Sequence, residues 1–299
     1  MDAPNPQNER QRITLQGWQQ NTLIGDLHPA SGDAHRRTVL LLHGGGQTRH
    51  SWRSTAQHLA DRGWNAISLD LRGHGDSAWS ESGDYHFDDF ANDLTAVAKH
   101  VADEFGTKPV VIGASLGGIS VMLAEGEAET SIVSAVVLVD VTPRMRQDGV
   151  DKILGFMRER AVDGFATLEE AADAISAYLP NRPRPKDLSG LAKNLRLGDD
   201  KRYRWHWDPR FVNESNGRTS PEDREDTFKR LESAVQNIQV PLMLVRGKSS
   251  ELVGEEMAEE FMKLVPHAEF ADVSEAGHMV AGDKNDVFTD EVIKFLEKY

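Results

Sequence analysis

The stretch from Val110 to Gly118 combines a potential nucleophile with a sharp turn between a strand and a helix. A short apolar run rich in β-branched residues leads into Gly-Ala-Ser-Leu-Gly at positions 113–117, and a helical pattern starts at Ile119. This G-x-S-x-G arrangement is typical of a nucleophile elbow. We expect the turn to strain the backbone of Ser115, to expose its hydroxyl, and to bring the chain so close to itself that only glycines fit on either side. The start of the following helix would aim backbone N–H groups at developing negative charge.

Three other polar residues follow predicted buried strands in the way that Ser115 does. His43, Arg72 and Asp140 each stand at the end of a continuous apolar run. Strands alternate with helices along this part of the chain, which predicts an α/β fold with a mainly parallel sheet covered on both faces. The carboxyl ends of parallel strands meet at one edge, where such sheets bind their ligands. The four residues should therefore lie on one rim.

The elements that would position this rim can be read from apolar periodicity. The clearest helix has a stripe that steps by three and four residues: Phe87, Phe90, Leu94, Val97 and Val101. Other predicted helices cover 52–62, 255–264 and the end of the chain. Predicted strands cover two segments between Arg12 and Leu27, and then 38–42, 66–71, 133–139, 240–245 and 268–273, besides the strand that precedes Ser115.

The alternation stops between residues 144 and 237. This segment is helical or irregular in pattern and contains five prolines, and Trp205 and Trp207 stand in too polar a setting for a core strand. We interpret it as a lid inserted into one core domain formed by residues 1–143 and 238–299. The alternative is a separate domain with its own role, although the segment lacks continuous apolar runs.

Composition excludes several classes of function. The 299 residues include no cysteine, which excludes disulfides, cysteine-ligated zinc and a thiol nucleophile. The net charge of −14 argues against nucleic acids and anionic membrane surfaces as partners. No apolar run has the length of a membrane span, and the polar segment 1–12 lacks the core of a secretory signal. These features favour a cytoplasmic protein, and we also expect a monomer or homodimer with a small-molecule substrate and no metal or cofactor.

Five motifs, in order, carry a resemblance to a known family. They are His-Gly-Gly-Gly at 43–46, Asp-Leu-Arg-Gly-His-Gly-Asp-Ser at 70–77, the pentapeptide at 113–117, Arg-Gly-Lys-Ser-Ser-Glu at 246–251, and Ala-Gly-His at 276–278. Together they resemble the α/β-hydrolase fold superfamily, in its lidded, serine esterase-like branch, from about residue 22 to 299. The segment 73–78 also fits a dinucleotide fingerprint, but a loop rather than a helix should follow it.

The resemblance implies roles for particular residues. Ser115 would be the nucleophile and His278 the base that activates it, because imidazole exchanges protons near neutral pH. Gly45 and Leu116 would donate the two backbone N–H groups of an oxyanion hole. His43 and His74 are interpreted as structural, each hydrogen-bonded to neighbouring loop backbone.

The acid that would orient His278 has two candidates. The family usually presents an aspartate after the strand at 240–245, whereas this chain has Glu251 there. Glutamate is one methylene longer and can serve if the loop sits back slightly. Asp140 is the alternative, since some branches of the fold place the acid after the preceding strand. Asp140 could instead only hold loop backbone in place.

The lid offers candidates for substrate contact. Phe156 and Met157, with Ile153 and Leu154, form an apolar patch, and Trp207 belongs to an aromatic cluster. These residues could line a pocket for an apolar acyl group, or they could simply pack the lid onto the core.

The resemblance implies hydrolysis of a carboxylic ester or lactone through an acyl-enzyme. A serine at the elbow argues against dehalogenase or epoxide hydrolase chemistry, which uses a carboxylate nucleophile in this fold. The same triad supports amide or carbon–carbon bond hydrolysis, and the fold does not select among them. A ligand-binding protein that kept the fold without catalysis is a further alternative.

Overall fold

A central sheet of eight strands organises the chain. The computed structural model describes residues 9–31, 37–179, 184, 187–212, 220–273 and 285–299. The strands of the sheet are β1 (Gln11–Gln16), β2 (Thr22–His28), β3 (Thr38–Leu42), β4 (Asn65–Leu69), β5 (Val110–Ala114), β6 (Ala135–Val139), β9 (Leu242–Gly247) and β10 (Glu269–Val273). A separate antiparallel pair is formed by β7 (Leu195–Leu197) and β8 (Tyr203–Trp205).

The strand order is β1-β2-β4-β3-β5-β6-β9-β10. The β1–β2 and β2–β4 pairs are antiparallel, and every other neighbouring pair in the sheet is parallel. In the register, Gly113 pairs with Leu42 on one side, and Ala114 pairs with Val139 on the other. The segments that leave β3, β5 and β6 therefore emerge side by side at one edge of the sheet.

Alternation along the buried strands feeds two hydrophobic layers, one on each face of the sheet. Leu40 and Leu42 of β3 pack into one layer, and Val39 and Leu41 pack into the other. Successive side chains of a strand point to opposite faces, so a continuous apolar run is what a doubly covered strand requires.

Helices cover both faces. They are α1 (Arg53–Asp61), α2 (Phe87–Phe105), α3 (Leu116–Gly126), α4 (Gln147–Glu159), α5 (Leu168–Tyr178), α6 (Pro221–Asn237), α7 (Glu255–Leu264) and α8 (Asn285–Leu296). Helices α2 and α3 contribute Leu94 and Met122 to the first layer, and α1 and α8 contribute Leu59 and Phe288 to the second. No helix in the described ranges is long and apolar enough to cross a membrane.

The segment between β6 and β9, here called the insertion (residues 144–237), contains α4, α5, the β7–β8 pair and α6. Its last helix lies close to α3, since a Cβ atom built at Gly126 would lie 2.1 Å from the carbonyl oxygen of Ala234. The division of the chain into a core and a lid at residues 144 and 237 stays a prediction.

The sequence-based elements of the core are confirmed. The predicted strands at 38–42 and 268–273 correspond to β3 and β10, and the predicted helix at 255–264 is α7. As expected, the segment around Trp205 is not a strand of the main sheet; Tyr203–Trp205 forms β8 of the separate β7–β8 pair. A loop follows residues 73–78, as expected, because α2 starts only at Phe87.

Candidate active site

Ser115 occupies the turn between β5 and α3 in a backbone conformation that few residues adopt. Its φ is 46° and its ψ is −111°, and its side chain is partly exposed at the edge of the sheet. A positive φ costs a residue with a Cβ atom about 1–3 kcal/mol, so surrounding packing must impose it. The expected strain at this serine is confirmed.

The glycines around Ser115 are required by close backbone approach. A Cβ atom built at Gly113 would lie 2.5 Å from the carbonyl oxygen of Gly117. One built at Gly117 would lie 2.6 Å from both the Cβ atom and the carbonyl oxygen of Leu42 on β3. Real Cβ atoms do not approach other heavy atoms so closely, so the expected collision at both positions is confirmed.

The segment that follows β3, here called the glycine loop (residues 43–46), lies beside Ser115. A Cβ atom built at Gly44 would lie 3.3 Å from the Cβ atom of Ser115. The helical hydrogen bonds of α3 begin where Ile119 N–H donates to the Ser115 carbonyl oxygen at 2.9 Å. The N–H groups of the first turn of α3, from Leu116 onward, have no acceptor within the helix.

Two buried histidines hold the glycine loop against the segment after β4, here called the rim loop (residues 70–77). His43 donates from Nδ1 to the Gly44 carbonyl oxygen at 2.8 Å and accepts the Leu71 N–H at Nε2 at 3.0 Å. His74 accepts the Gly46 N–H at Nε2 at 3.1 Å and donates from Nδ1 to the Arg72 carbonyl oxygen at 2.9 Å. The expectation that both histidines serve loop structure is confirmed.

These hydrogen bonds require both imidazoles to be neutral, with the proton on Nδ1. Burial lowers the pKa of His43 to about 4. Burial, together with the nearby His43, lowers the pKa of His74 to about 3. Neither ring can therefore act as a base that cycles its charge near neutral pH.

A buried ion cluster fixes the rim loop. The Asp70 carboxylate accepts the backbone N–H groups of Arg49 at 2.6 Å and Asp76 at 2.9 Å, and it pairs with the Arg49 guanidinium. Arg72, at the start of the same loop, makes two hydrogen bonds of 2.7 Å to Asp93 on α2. Arg72 is thus committed to a structural ion pair.

Asp140 follows β6 and lies next to the elbow in the sheet. It is fully buried and has a φ of 50°. The carbonyl oxygen of the preceding residue, Val139, accepts the Ser115 N–H at 3.3 Å. One carboxylate oxygen accepts the Gly247 N–H at 3.1 Å, and the other accepts the Ser250 hydroxyl at 2.6 Å. The carboxylate is therefore aimed and held by the turn that follows β9.

Glu251 lies on that same turn, but its carboxylate faces the insertion. About a third of its side chain is exposed, and it lies 3.9 Å from Lys152 Nζ on α4. Burial and the charge of Glu251 raise the pKa of Tyr178 to about 12. The carboxylate therefore sits near side chains of α4 and α5.

Of the predicted substrate contacts, Met157 lies nearest to the glycine loop. A Cβ atom built at Gly46 would lie 2.8 Å from Met157 Cε. Phe156 instead stacks on Tyr178 at a ring-centroid distance of 4.2 Å, within the insertion. Trp207 is buried and forms an isolated β-bridge with His74 of the rim loop.

Two residues at this edge were missed by sequence reasoning. Phe211 packs over the glycine loop, because a Cβ atom built at Gly45 would lie 3.2 Å from its ring. Ser250 binds Asp140. Nothing in the local sequence marks Phe211 as a site residue. For Ser250, the one indication is its position next to Glu251 in the motif at 246–251. His278 lies outside the described residues.

The insertion is bound to the rim loop through backbone and side chains. Gly75 N–H donates to the His206 carbonyl oxygen at 2.6 Å, and Asp208 N–H donates to the Gly73 carbonyl oxygen at 2.7 Å. The Tyr85 hydroxyl donates to Asp208 Oδ2 at 2.5 Å. The insertion thus packs at the edge of the sheet that carries Ser115.

Comparison with known proteins places this geometry in a wider context. Residues 37–284 match the model of a family described as alpha/beta hydrolase fold. Esterase Rv0045c of Mycobacterium tuberculosis is 30% identical over 258 residues, which are 82% of this chain and 78% of that protein. The 2-(acetamidomethylene)succinate hydrolase of Mesorhizobium japonicum is 26% identical over 246 residues, covering 80% of each chain.

Solved structures agree with these sequence matches. The crystal structure of E-2-(acetamidomethylene)succinate hydrolase matches with a TM-score of 0.80 at 20% identity, over 97% of this chain and 100% of that one. At that identity the likeness shows the fold alone. A crystal structure of esterase Rv0045c matches with a TM-score of 0.73 at 26% identity, over 99% of this chain and 92% of that one.

Proposed function

Because the chain belongs to the α/β-hydrolase fold family and is a hydrolase with esterase-like relatives, we propose that it cleaves a carboxylic ester or lactone of a small substrate with Ser115 as the nucleophile. The observation that carries the proposal is the strained, partly exposed Ser115 beside the glycine loop. Strain of this kind persists only where the surroundings impose it, and it concentrates at functional sites.

In the proposed reaction, Ser115 Oγ attacks the substrate carbonyl carbon while His278 takes the serine proton. Backbone N–H groups of Gly45 and Leu116 would stabilise the oxyanion, each contributing about 3–4 kcal/mol in the transition state. His278 would return the proton to the leaving alcohol. A water molecule, activated by the same histidine, would then hydrolyse the acyl-enzyme.

We assign the third member of the triad to Asp140. Its carboxylate is fully buried, and Asp140 directly follows β6, the strand that pairs with β5. Like Ser115, it has a positive φ, which residues other than glycine rarely adopt. Glu251, the acid that the family pattern favours, is the alternative, and the position of its carboxylate beside Lys152 argues for an ion pair with the insertion.

The insertion would act as a lid over the site. Met157 and Phe211 approach the glycine loop from the insertion, and both are buried and apolar. They would restrict the space beside the substrate carbonyl and exclude water from it. This supports a small, apolar acyl group.

Hydrolysis of p-nitrophenyl esters from acetate to octanoate tests the proposal. We expect the wild type to turn over the shorter esters and Ser115→Ala to lose at least about a thousandfold in kcat. Circular dichroism of both proteins serves as the control for folding. A wild type that is inert on every ester would remove the ester hydrolase assignment and leave amide hydrolysis, carbon–carbon bond hydrolysis or ligand binding as the function to test.

A further inference from the structure

The hydroxyl of Ser250 lies against the carboxylate that we assign to the triad. Ser250 is nearly buried, and its Oγ donates to Asp140 Oδ2 at 2.6 Å. Hydrogen bonds to an ionised acceptor are shorter and about twice as strong as those between neutral groups. The 2.6 Å distance is typical of a hydroxyl that donates to a carboxylate.

The orientation of this hydroxyl is fixed from its other side. Ser250 Oγ also accepts the backbone N–H groups of Leu252 at 3.0 Å and Val253 at 3.1 Å. A serine hydroxyl has one proton and two lone pairs. Because the two N–H groups occupy both lone pairs of Oγ, the hydroxyl proton points in the one remaining direction, toward Asp140.

The opposite oxygen of the carboxylate is held by the same turn. Gly247 N–H donates to Asp140 Oδ1 at 3.1 Å. The turn after β9 thus supplies one donor to each oxygen, which sets the rotation of the carboxylate plane. Without the hydroxyl, the carboxylate would lose one of these two restraints on its rotation about the side-chain bonds.

We propose that Ser250 is a positioning residue for hydrolysis, which acts by holding Asp140 in the orientation that the catalytic base requires. This inference rests on the proposed function and on the assignment of Asp140 as the acid. It explains why the loop that usually carries the acid is here built around a buried serine while Glu251 points to the insertion.

The first test replaces Ser250 with alanine and uses Ser249→Ala as the matched control, since Ser249 is the exposed serine one position earlier. Turnover is measured on p-nitrophenyl acetate. We expect Ser250→Ala to lower kcat about tenfold with KM changed by less than about twofold, and Ser249→Ala to match the wild type. If Ser250→Ala does not fold, Ser250→Cys keeps the size of the side chain with a weak donor.

A double-mutant cycle separates positioning from a purely structural role. In an Asp140→Asn background, loss of the Ser250 hydroxyl should reduce kcat by less than about twofold, because its route of action has been removed. Loss of the Ser250 hydroxyl should still lower the melting temperature in this background, because the hydrogen bonds from the Leu252 and Val253 N–H groups to Ser250 Oγ are lost there too.

Three results would overturn the inference. One is an unchanged kcat in Ser250→Ala together with a lowered melting temperature. Another is a tenfold loss of kcat in Ser250→Ala that is also seen in full when the substitution is made in the Asp140→Asn background. The third is full activity of Asp140→Asn alongside an inactive Glu251→Gln, which moves the acid and removes the route for Ser250. A wild type without esterase activity overturns the proposed function itself, and this inference with it.

Discussion

Ser115 and Asp140 both have a positive φ, which residues other than glycine rarely adopt. Their φ values are 46° and 50°. Ser115 follows Ala114 and Asp140 follows Val139, and these two preceding residues pair across β5 and β6. Aspartate tolerates a positive φ better than most residues. Two positive φ values next to each other indicate that the backbone at this edge of the sheet is shaped to orient the side chains of Ser115 and Asp140.

The choice between the two acids gives the sharpest prediction for single residues. Asp140→Asn keeps the size of the side chain and an acceptor for the Gly247 N–H, so the fold should persist. It loses the charge that balances an imidazolium, and we expect kcat for ester hydrolysis to fall about a thousandfold or more. Glu251→Gln should stay within about threefold of the wild type. The reverse ranking of the two variants would make Glu251 the acid.

The sequence predicts Ser115 as the nucleophile and favours Glu251 over Asp140 as the acid, whereas the structure leads us to propose Asp140. The residue pattern at 113–117 requires the elbow because both glycines are sterically necessary. Asp140 and Glu251 both follow core strands, and sequence carries no sign of which carboxylate is buried. That difference depends on Ser250 and Lys152, which approach the two acids from the turn after β9 and from α4, respectively.

The insertion contacts the glycine loop through α4 and through the short helical turn at 209–212. Met157 of α4 lies against Gly46, and Phe211 lies against Gly45. Phe211 also packs edge-on against the His74 ring at a centroid distance of 4.8 Å. The two side chains connect the insertion to the loop that would bind the oxyanion.

Shortening Met157 tests whether this contact limits the substrate. Met157→Ala should open space beside Gly46 and raise kcat/KM for hexanoate and octanoate esters relative to acetate by about tenfold, in line with the roughly 1–3 kcal/mol that one methylene contributes in an apolar pocket. Met257→Ala on α7 is the matched control for loss of a methionine. An unchanged chain-length profile in Met157→Ala would show that the acyl group lies elsewhere.

The core elements were predictable, and the insertion was not. Strands β3, β5 and β6 are largely apolar runs, because each is buried on both faces of the sheet. Within the insertion, Trp205 and Trp207 stand among charged residues, yet both are buried. Trp205 packs against Phe165, and Trp207 forms a bridge with His74 of the rim loop, and both partners are distant in sequence. Local pattern cannot report such contacts.

For the whole molecule, the two buried histidines link stability to pH. Their pKa values are about 4 for His43 and about 3 for His74, both below the ordinary value of 6.5. Between these values and 6.5 the unfolded chain binds more protons than the folded one, so stability falls as pH decreases through this range. The contribution of the two neutral histidines to stability is fully present above pH ~6.5.

We therefore expect the free energy of unfolding to drop between pH 6.5 and 5 by about 2 kcal/mol for each histidine. Urea denaturation across this range measures it. His74→Gln keeps an acceptor for the Gly46 N–H but cannot titrate, so its stability should vary less steeply with pH than that of the wild type. Equal slopes for the two proteins would mean that His74 is not held neutral.

Covalent labelling with a fluorophosphonate tests the assignment of Ser115 as the nucleophile, because this reagent reacts with an activated serine and not with an inert one. We expect a single adduct per chain in the intact mass, located by peptide mass spectrometry on Ser115 and absent from Ser115→Ala. Labelling and ester hydrolysis should disappear together. A folded wild type that remains unlabelled, or an adduct on a different residue, would contradict the assignment of Ser115 as the nucleophile.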